Sequence, residues 1–320
     1  MVYKPIIIVA GEPNSIFLEI FFKSLKIKRF KSPLILIASQ KILELHMKKL
    51  NFKLKINLLD KSKLLIDKLN NSQINLINID CKAPIKFGTI SENSKNYIND
   101  CFNVAFELLK KKITNKLING PVSKKFFLKK KYLGITEYIA EYFNIKNYAM
   151  LIYNKNISVC PITTHLPLKY VVKNIKKETI IKKIEIIDLF YKNYLKKKPK
   201  FAVTGLNPHC ESISSFNEDD KIILPSIKKL KNKGINISGP YSADTLFLKN
   251  NRSNYDIIVG MYHDQVLTPI KTLFEFDAIN VTLGLPFLRI SPDHGPNEKM
   301  VGKNLSDPLS LIRALKFLDN

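Results

Sequence analysis

Glycine is scarce, at 11 residues in 320, and no two glycines lie two residues apart. That excludes the G-x-G-x-x-G turn of a Rossmann dinucleotide site, and no G-x-x-x-x-G-K-[ST] phosphate loop is present either. A dinucleotide bound here must be held by another kind of turn. Cysteine is equally sparse: Cys81, Cys101, Cys160 and Cys210 are far apart and form no C-x-x-C pair. Neither a disulfide framework nor a zinc knuckle is expected, and a reducing cytoplasm fits best. No run of eighteen apolar residues occurs, so no membrane span is expected. The apolar stretch 5–10 is too short for a signal-peptide core and runs straight into Gly11-Glu12-Pro13, so it reads as a first buried strand.

Acidic residues are also few, 27 against 52 Lys and Arg, which gives a formal charge of +25. Such a balance raises nucleic-acid binding as a hypothesis. The lysines, however, are scattered among Ile and Asn, and the short runs at 124–125, 129–131 and 196–198 fall in separate parts of the chain. This is the composition an AT-rich coding sequence produces. Solvated surface lysines are the expected outcome, with no specific nucleic-acid partner.

What is present is the pattern of an α/β protein: short apolar runs alternate with longer amphipathic stretches, as strands and helices do around a largely parallel sheet. Strands are expected at 6–10, 34–38, 74–79, 117–119, 150–153, 201–204, 257–261 and 279–282. A helix should follow Ser91, because Tyr97, Cys101, Ala105 and Leu108 recur at helical spacing. Further helices are expected at 180–194, 221–231 and 308–318, the last capped by Asp307 with Pro308 in its first position.

Three histidines each follow an apolar run, in Thr163-Thr164-His165, Asn207-Pro208-His209 and Tyr262-His263-Asp264-Gln265. Ligands of open α/β sheets collect at the carboxyl ends of strands, so these are sensible places for a metal or a base. Taken singly, each also reads as a hydrogen-bonded structural histidine, and their spacing matches no local metal motif. Asp244 reads as a second-shell partner, a general base or a helix cap. Lys271, Asn280 and Arg289 lie downstream of His263; a Lys and an Arg at one concave site would suit a phosphate or carboxylate.

Together, Asn119-Gly120-Pro121-Val122, Thr163-Thr164-His165, Gly205-Leu206-Asn207-Pro208-His209, Ala243-Asp244-Thr245-Leu246-Phe247, Met261-Tyr262-His263-Asp264-Gln265, the run 280–287, Arg289 and Asp293-His294-Gly295 resemble the 4-hydroxythreonine-4-phosphate dehydrogenase family. The resemblance runs from Gly11 almost to the end of the chain, in the same order. It implies a two-lobed fold of the isocitrate/isopropylmalate dehydrogenase type with its active site in the interlobe cleft. The lobes would be 1–125 with 283–320, and 126–282, the latter carrying dimerisation and the metal site.

The resemblance further implies a homodimer with shared sites. His165, His209 and His263, contributed across the interface, would hold a divalent metal such as zinc, magnesium or cobalt. Thr136, Lys271, Asn280 and Arg289 would contact a small phosphorylated substrate, and Asn280, Leu283, His294 and Gly295 would contact NAD or NADP. Asp244 and Lys271 are the implied catalytic groups. The family oxidises the 3-hydroxyl of 4-phosphohydroxy-L-threonine with NAD, and the β-keto acid then loses carbon dioxide on the way to pyridoxal phosphate. Neutral imidazoles suit this chemistry, because they leave metal positions open for a substrate hydroxyl.

The chain also departs from the family pattern. Gly134-Ile135-Thr136-Glu137 has an apolar residue where the family has histidine, and the glycine-rich N-terminal turn appears as Gly11-Glu12-Pro13-Asn14-Ser15-Ile16-Phe17. A glycine is missing before Glu211, and Pro296-Asn297-Glu298-Lys299 replaces the small and acidic residues of the adenosine loop. These changes keep two alternatives open: oxidation of another phosphorylated hydroxy acid, such as a threonate or erythronate phosphate, and a non-catalytic basic binding protein on the same fold.

Overall fold

A computed structural model describes residues 3–82, 87–129, 131–211 and 216–319. The chain divides into two compact units, Met1–Ile135 with Pro286–Asn320, and Thr136–Leu285. The first unit runs β1 (Ile6–Val9), α1 (Phe17–Ile27), β2 (Leu34–Ala38), α2 (Gln40–Lys49), β3 (Ile56–Leu58), β4 (Ile74–Asn78), α3 (Lys95–Lys110) and β5 (Lys116–Asn119). The second follows with α4 (Ile135–Tyr142), β6 (Ala149–Tyr153), β7 (Ser158–Pro161), α5 (Leu168–Asn174), α6 (Lys177–Asn193), β8 (Phe201–Thr204), α7 (Leu224–Asn232), β9 (Ile237–Tyr241), α8 (Ala243–Leu246), α9 (Lys249–Arg252), β10 (Ile257–Gly260), α10 (His263–Phe274) and β11 (Ile279–Leu283). The chain then returns to the first unit as β12 (Leu288–Pro292) and α11 (Leu309–Leu318).

In the first unit the strands lie in the order β3-β4-β2-β1-β5-β12, and every pairing is parallel. Parallel strands covered on both faces are continuous apolar runs, and β1 and β2 show it: all nine of their residues are buried. α3 turns Tyr97, Cys101, Ala105 and Leu108 inward, as its spacing requires. At α11 the Asp307 carboxylate accepts the Leu309 N–H at 2.8 Å, which satisfies one of the orphan donors of a helix start.

In the second unit the order is β11-β6-β7-β10-β8-β9. β6 runs antiparallel to both β11 and β7, whereas β7, β10, β8 and β9 are mutually parallel. The core of this unit gathers Ile152, Val159, Ala202, Ile258, Val266 and Ile270. Because four adjacent strands point the same way, the turns that follow their carboxyl ends emerge along one edge. Those turns carry His165, His263, His209 and Asp244. No helix among the described residues is long and apolar enough to cross a membrane.

Candidate active site

His165 and His263 are brought together by a pairing that continues past the ends of β7 and β10. The Ile162 N–H donates to the Gly260 carbonyl at 2.8 Å, while the Thr163 N–H and hydroxyl both donate to the Met261 carbonyl, at 3.1 and 2.7 Å. The two imidazole centroids are then 5.6 Å apart. Two imidazoles sharing one tetrahedral ion through bonds of about 2 Å would have centroids roughly 5 Å apart, so the pair fits two positions of a divalent metal site. His263 is the first residue of α10, and its Nδ1 lies 2.6 Å from the Asp264 carboxylate. A carboxylate at one ring nitrogen directs the other, Nε2, toward a ligand, as in many metal-bound histidines.

His165 holds a left-handed backbone with φ 55°, and so does His209 with φ 57°, followed by Cys210 with φ 63°. Non-glycine residues in this region are uncommon and cost energy that the surroundings must overcome; such residues cluster at functional sites. The surroundings of His209 are explicit. Asp219, fully buried, accepts the Leu206 N–H at 2.8 Å, the Asn207 N–H at 3.2 Å and the Asn207 side-chain amide at 2.9 Å. A Cβ at Gly205 would stand 2.6 Å from Cys210 Sγ and 2.7 Å from the Asp219 carboxylate, so only glycine permits this approach.

Nδ1 of His209 lies 3.4 Å from the Ser242 hydroxyl, which donates to Asp244 at 2.7 Å. That hydroxyl, with a smaller contribution from His209, holds the exposed Asp244 carboxyl below its ordinary pKa. Asp244 is therefore joined to His209 through Ser242. Among the described residues of one chain, no group of three or more His, Cys, Asp or Glu side chains converges to hold a metal ion. His165 and His263 pair; His209 stands with Ser242 and Asp244.

The other expected contacts fall into two sets. In the second unit, Thr136 is buried on α4 with its hydroxyl 3.3 Å from that of Thr282 on β11. Asn280, on the same strand, has a buried side-chain oxygen with no hydrogen-bond partner among the described residues, and so does Glu137, whose other carboxylate oxygen accepts from Thr164 at 3.5 Å. Buried polar atoms are nearly always satisfied, by protein, by water or by a bound group. Lys271 lies on α10, its ammonium 5.7 Å from the Phe276 ring centroid, and Leu283 is buried at the end of β11.

In the first unit, Arg289 is wholly buried in β12 and donates through Nε to the Asn119 side-chain oxygen at 2.7 Å. His294 stacks 6.5 Å from Phe17, with its Nδ1 2.9 Å from the carbonyl of the exposed Gly295. Asp219, Ser242, Gln265 and Asn119 were not singled out as acting residues from the sequence. Gln265 and Asn119 do stand inside the runs that carry the resemblance, but their roles are tertiary contacts. For Asp219 the chain offers only a short acidic stretch, which reads equally well as surface.

Comparisons with known proteins place the chain among relatives of known name. The sequence profile described as "Pyridoxal phosphate biosynthetic protein PdxA" matches residues 29–318. A 4-hydroxythreonine-4-phosphate dehydrogenase of Sulfurihydrogenibium sp. (strain YO3AOP1) is 39% identical over 316 residues, covering 97% of this chain and 96% of that protein. A D-threonate 4-phosphate dehydrogenase of Pectobacterium atrosepticum is 30% identical over 249 residues, 76% of each. The crystal structure of a 4-hydroxythreonine-4-phosphate dehydrogenase from Klebsiella pneumoniae superposes with a TM-score of 0.84 at 26% identity, over 99% of this chain and 97% of that one. With a family profile spanning nearly its whole length and a full-length relative at this identity, the chain belongs to the PdxA family of pyridoxal phosphate biosynthetic proteins.

Proposed function

We propose that this protein is an NAD-linked 4-hydroxythreonine-4-phosphate dehydrogenase, oxidising the 3-hydroxyl of 4-phosphohydroxy-L-threonine, after which the β-keto acid loses carbon dioxide. The observation that carries the reading is the His165 and His263 pair, 5.6 Å apart at the ends of two parallel strands, in a chain 39% identical to a dehydrogenase of that name. His165 and His263 would form one part of a divalent metal site, with His209 of the partner subunit completing it in a homodimer. The ion, zinc, magnesium or cobalt, would lower the pKa of the substrate hydroxyl bound to it. NAD, or NADP, would take the hydride, held by Asn280, Leu283, His294 and Gly295.

The chain's own residues would orient the substrate and manage charge. Thr136 and Asn280 present polar groups in the second unit, and Asn119 fixes the plane of the Arg289 guanidinium. Arg289 and Lys271 are cations suited to the phosphate and the carboxylate. Lys271 and Asp244 would accept and return protons, and Asp244 also reaches His209 through Ser242. Oxidation of a D-threonate phosphate is the second reading. It is supported by the relative of that name at 30% identity and by the apolar Ile135, where the family pattern has a histidine that contacts substrate.

A complementation experiment tests the shared metal site. His209→Ala and His263→Ala should each lose bound metal and NADH formation while keeping the fold by circular dichroism. Co-expressed, they should regain activity, because each mixed dimer holds one site with all three histidines intact. Undiminished metal content in either single variant would refute the ligand set, and an inactive mixture would refute its sharing between subunits.

A further inference from the structure

The turns that carry His209 and His263 are tied together by a single side chain. Gln265, in the first turn of α10, accepts the Met261 N–H at 2.7 Å and the Thr204 hydroxyl at 2.9 Å through Oε1. Its Nε2 donates to the Gly205 carbonyl at 2.8 Å. The partners fix the orientation of the amide: the Met261 N–H is only a donor and the Gly205 carbonyl only an acceptor, so the oxygen must face β10 and the nitrogen β8. A Cβ on Gly260 would stand 3.0 Å from Oε1 and 2.4 Å from a Val266 methyl, so the close approach depends on glycine at the end of β10.

The bridge meets the chain just before both histidines. Met261 lies two residues ahead of His263, and Gly205 lies four ahead of His209. From Gly205 onward the buried Asp219 takes over, holding Leu206 and Asn207 up to the left-handed pair His209 and Cys210. Backbone strain of that kind persists only where neighbouring contacts leave no alternative. Gln265 thus links this strained turn to the strand end that launches His263 through its side chain.

We propose that Gln265 is a positioning residue whose carboxamide sets the placement of the His209 and His263 turns of its own subunit and thereby the metal affinity of the two sites of the dimer to which those turns contribute. The role rests on the histidine reading given above. Without the carboxamide, the Met261 N–H and the Gly205 carbonyl lose their side-chain partner, the two strand ends are no longer joined through a rigid amide, and the helix start is free to rotate His263 about its axis.

Direct titration of the metal-free protein with Co²⁺ or Zn²⁺, alongside its thermal unfolding, tests this. Gln265→Met keeps the length of the side chain and removes every donor and acceptor; metal affinity should fall by roughly 10- to 100-fold, the range seen when outer-shell partners are lost. Gln265→Glu keeps the two acceptor bonds and should fall less. Thr204→Val removes one bond from the β8 side without touching α10 and should weaken binding measurably, with Thr204→Ser restoring it; this pair carries the test if Gln265→Met fails to fold. A glutamine that merely stabilises the fold would lower the unfolding temperature and leave metal affinity unchanged. Affinities within threefold of the unaltered protein in both Gln265→Met and Thr204→Val, while His263→Ala loses the metal, would overturn the positioning role. Retention of metal by His263→Ala would overturn the histidine reading and this role with it.

Discussion

Replacing the buried Glu12 should change stability with a sign that depends on pH. Glu12 lies in the turn after β1, 2% exposed, with one carboxylate oxygen accepting the Ser94 hydroxyl at 2.9 Å and the other facing the Asn14 N–H at 3.4 Å. Burial lifts its pKa from about 4.5 to about 7; the Ser94 and Asn14 contacts oppose this, and the Glu298 carboxylate adds slightly to it. The folded protein therefore binds this proton more tightly than the unfolded chain. The resulting penalty is absent below pH 4.5, grows as pH rises toward 7, and is complete above it. At about 1.4 kcal/mol per unit, the shift amounts to about 3 kcal/mol. Glu12→Gln is neutral and of equal size, and its amide oxygen can keep the Ser94 bond. Its NH₂ group must then face the Asn14 N–H, a loss of about 1 kcal/mol. The variant should thus be more stable by about 2 kcal/mol near pH 8 and less stable by about 1 kcal/mol near pH 4.5. Urea unfolding followed by far-ultraviolet circular dichroism at the two pH values measures both. A stability difference of the same sign and size at both would refute a buried carboxyl that titrates near neutrality.

Ile135→His should restore a polar substrate contact at the start of α4. For a charge-assisted bond of about 1 to 3 kcal/mol, the Michaelis constant for 4-phosphohydroxy-L-threonine should drop by roughly 5- to 150-fold with kcat little changed, as steady-state kinetics would show. Thiol labelling should separate the cysteines: Cys81 and Cys210 are partly exposed, whereas Cys101 and Cys160 are buried, and burial pushes the Cys160 thiol up to about 11. Mass spectrometry after brief alkylation should find the first two modified and the last two only after denaturation.

Much of the fold was legible because its strands are continuous apolar runs. The expected strands at 6–10, 34–38 and 201–204 correspond to β1, β2 and β8 within a residue. β3, β7, β9 and β12 were not expected; each is short and interrupted by a polar residue or a proline. β9 reads Ile-Ser-Gly-Pro-Tyr, with two strand breakers tolerated because it lies at the sheet edge and pairs only with β8. α10 was hidden by Pro269 within it. At the site, β7 ahead of His165 was not expected, but His209 and His263 could be placed after strands from their apolar runs. Which of the three histidines pair could not, since this depends on the register of β7 on β10, strands about a hundred residues apart in the chain. The tasks of Asp219 and Gln265 were invisible for a related reason. An acidic residue or an amide beside a loop looks like surface until the backbone groups it satisfies are folded around it.

NADH formation by the metal-loaded protein, with 4-phosphohydroxy-L-threonine and with D-threonate 4-phosphate side by side, tests the proposed activity most directly. NADH and carbon dioxide should form in equal amounts from 4-phosphohydroxy-L-threonine, with a kcat/KM well above that for the threonate phosphate. A higher kcat/KM for D-threonate 4-phosphate would contradict the assigned substrate, and NADH from neither compound would contradict the assigned chemistry.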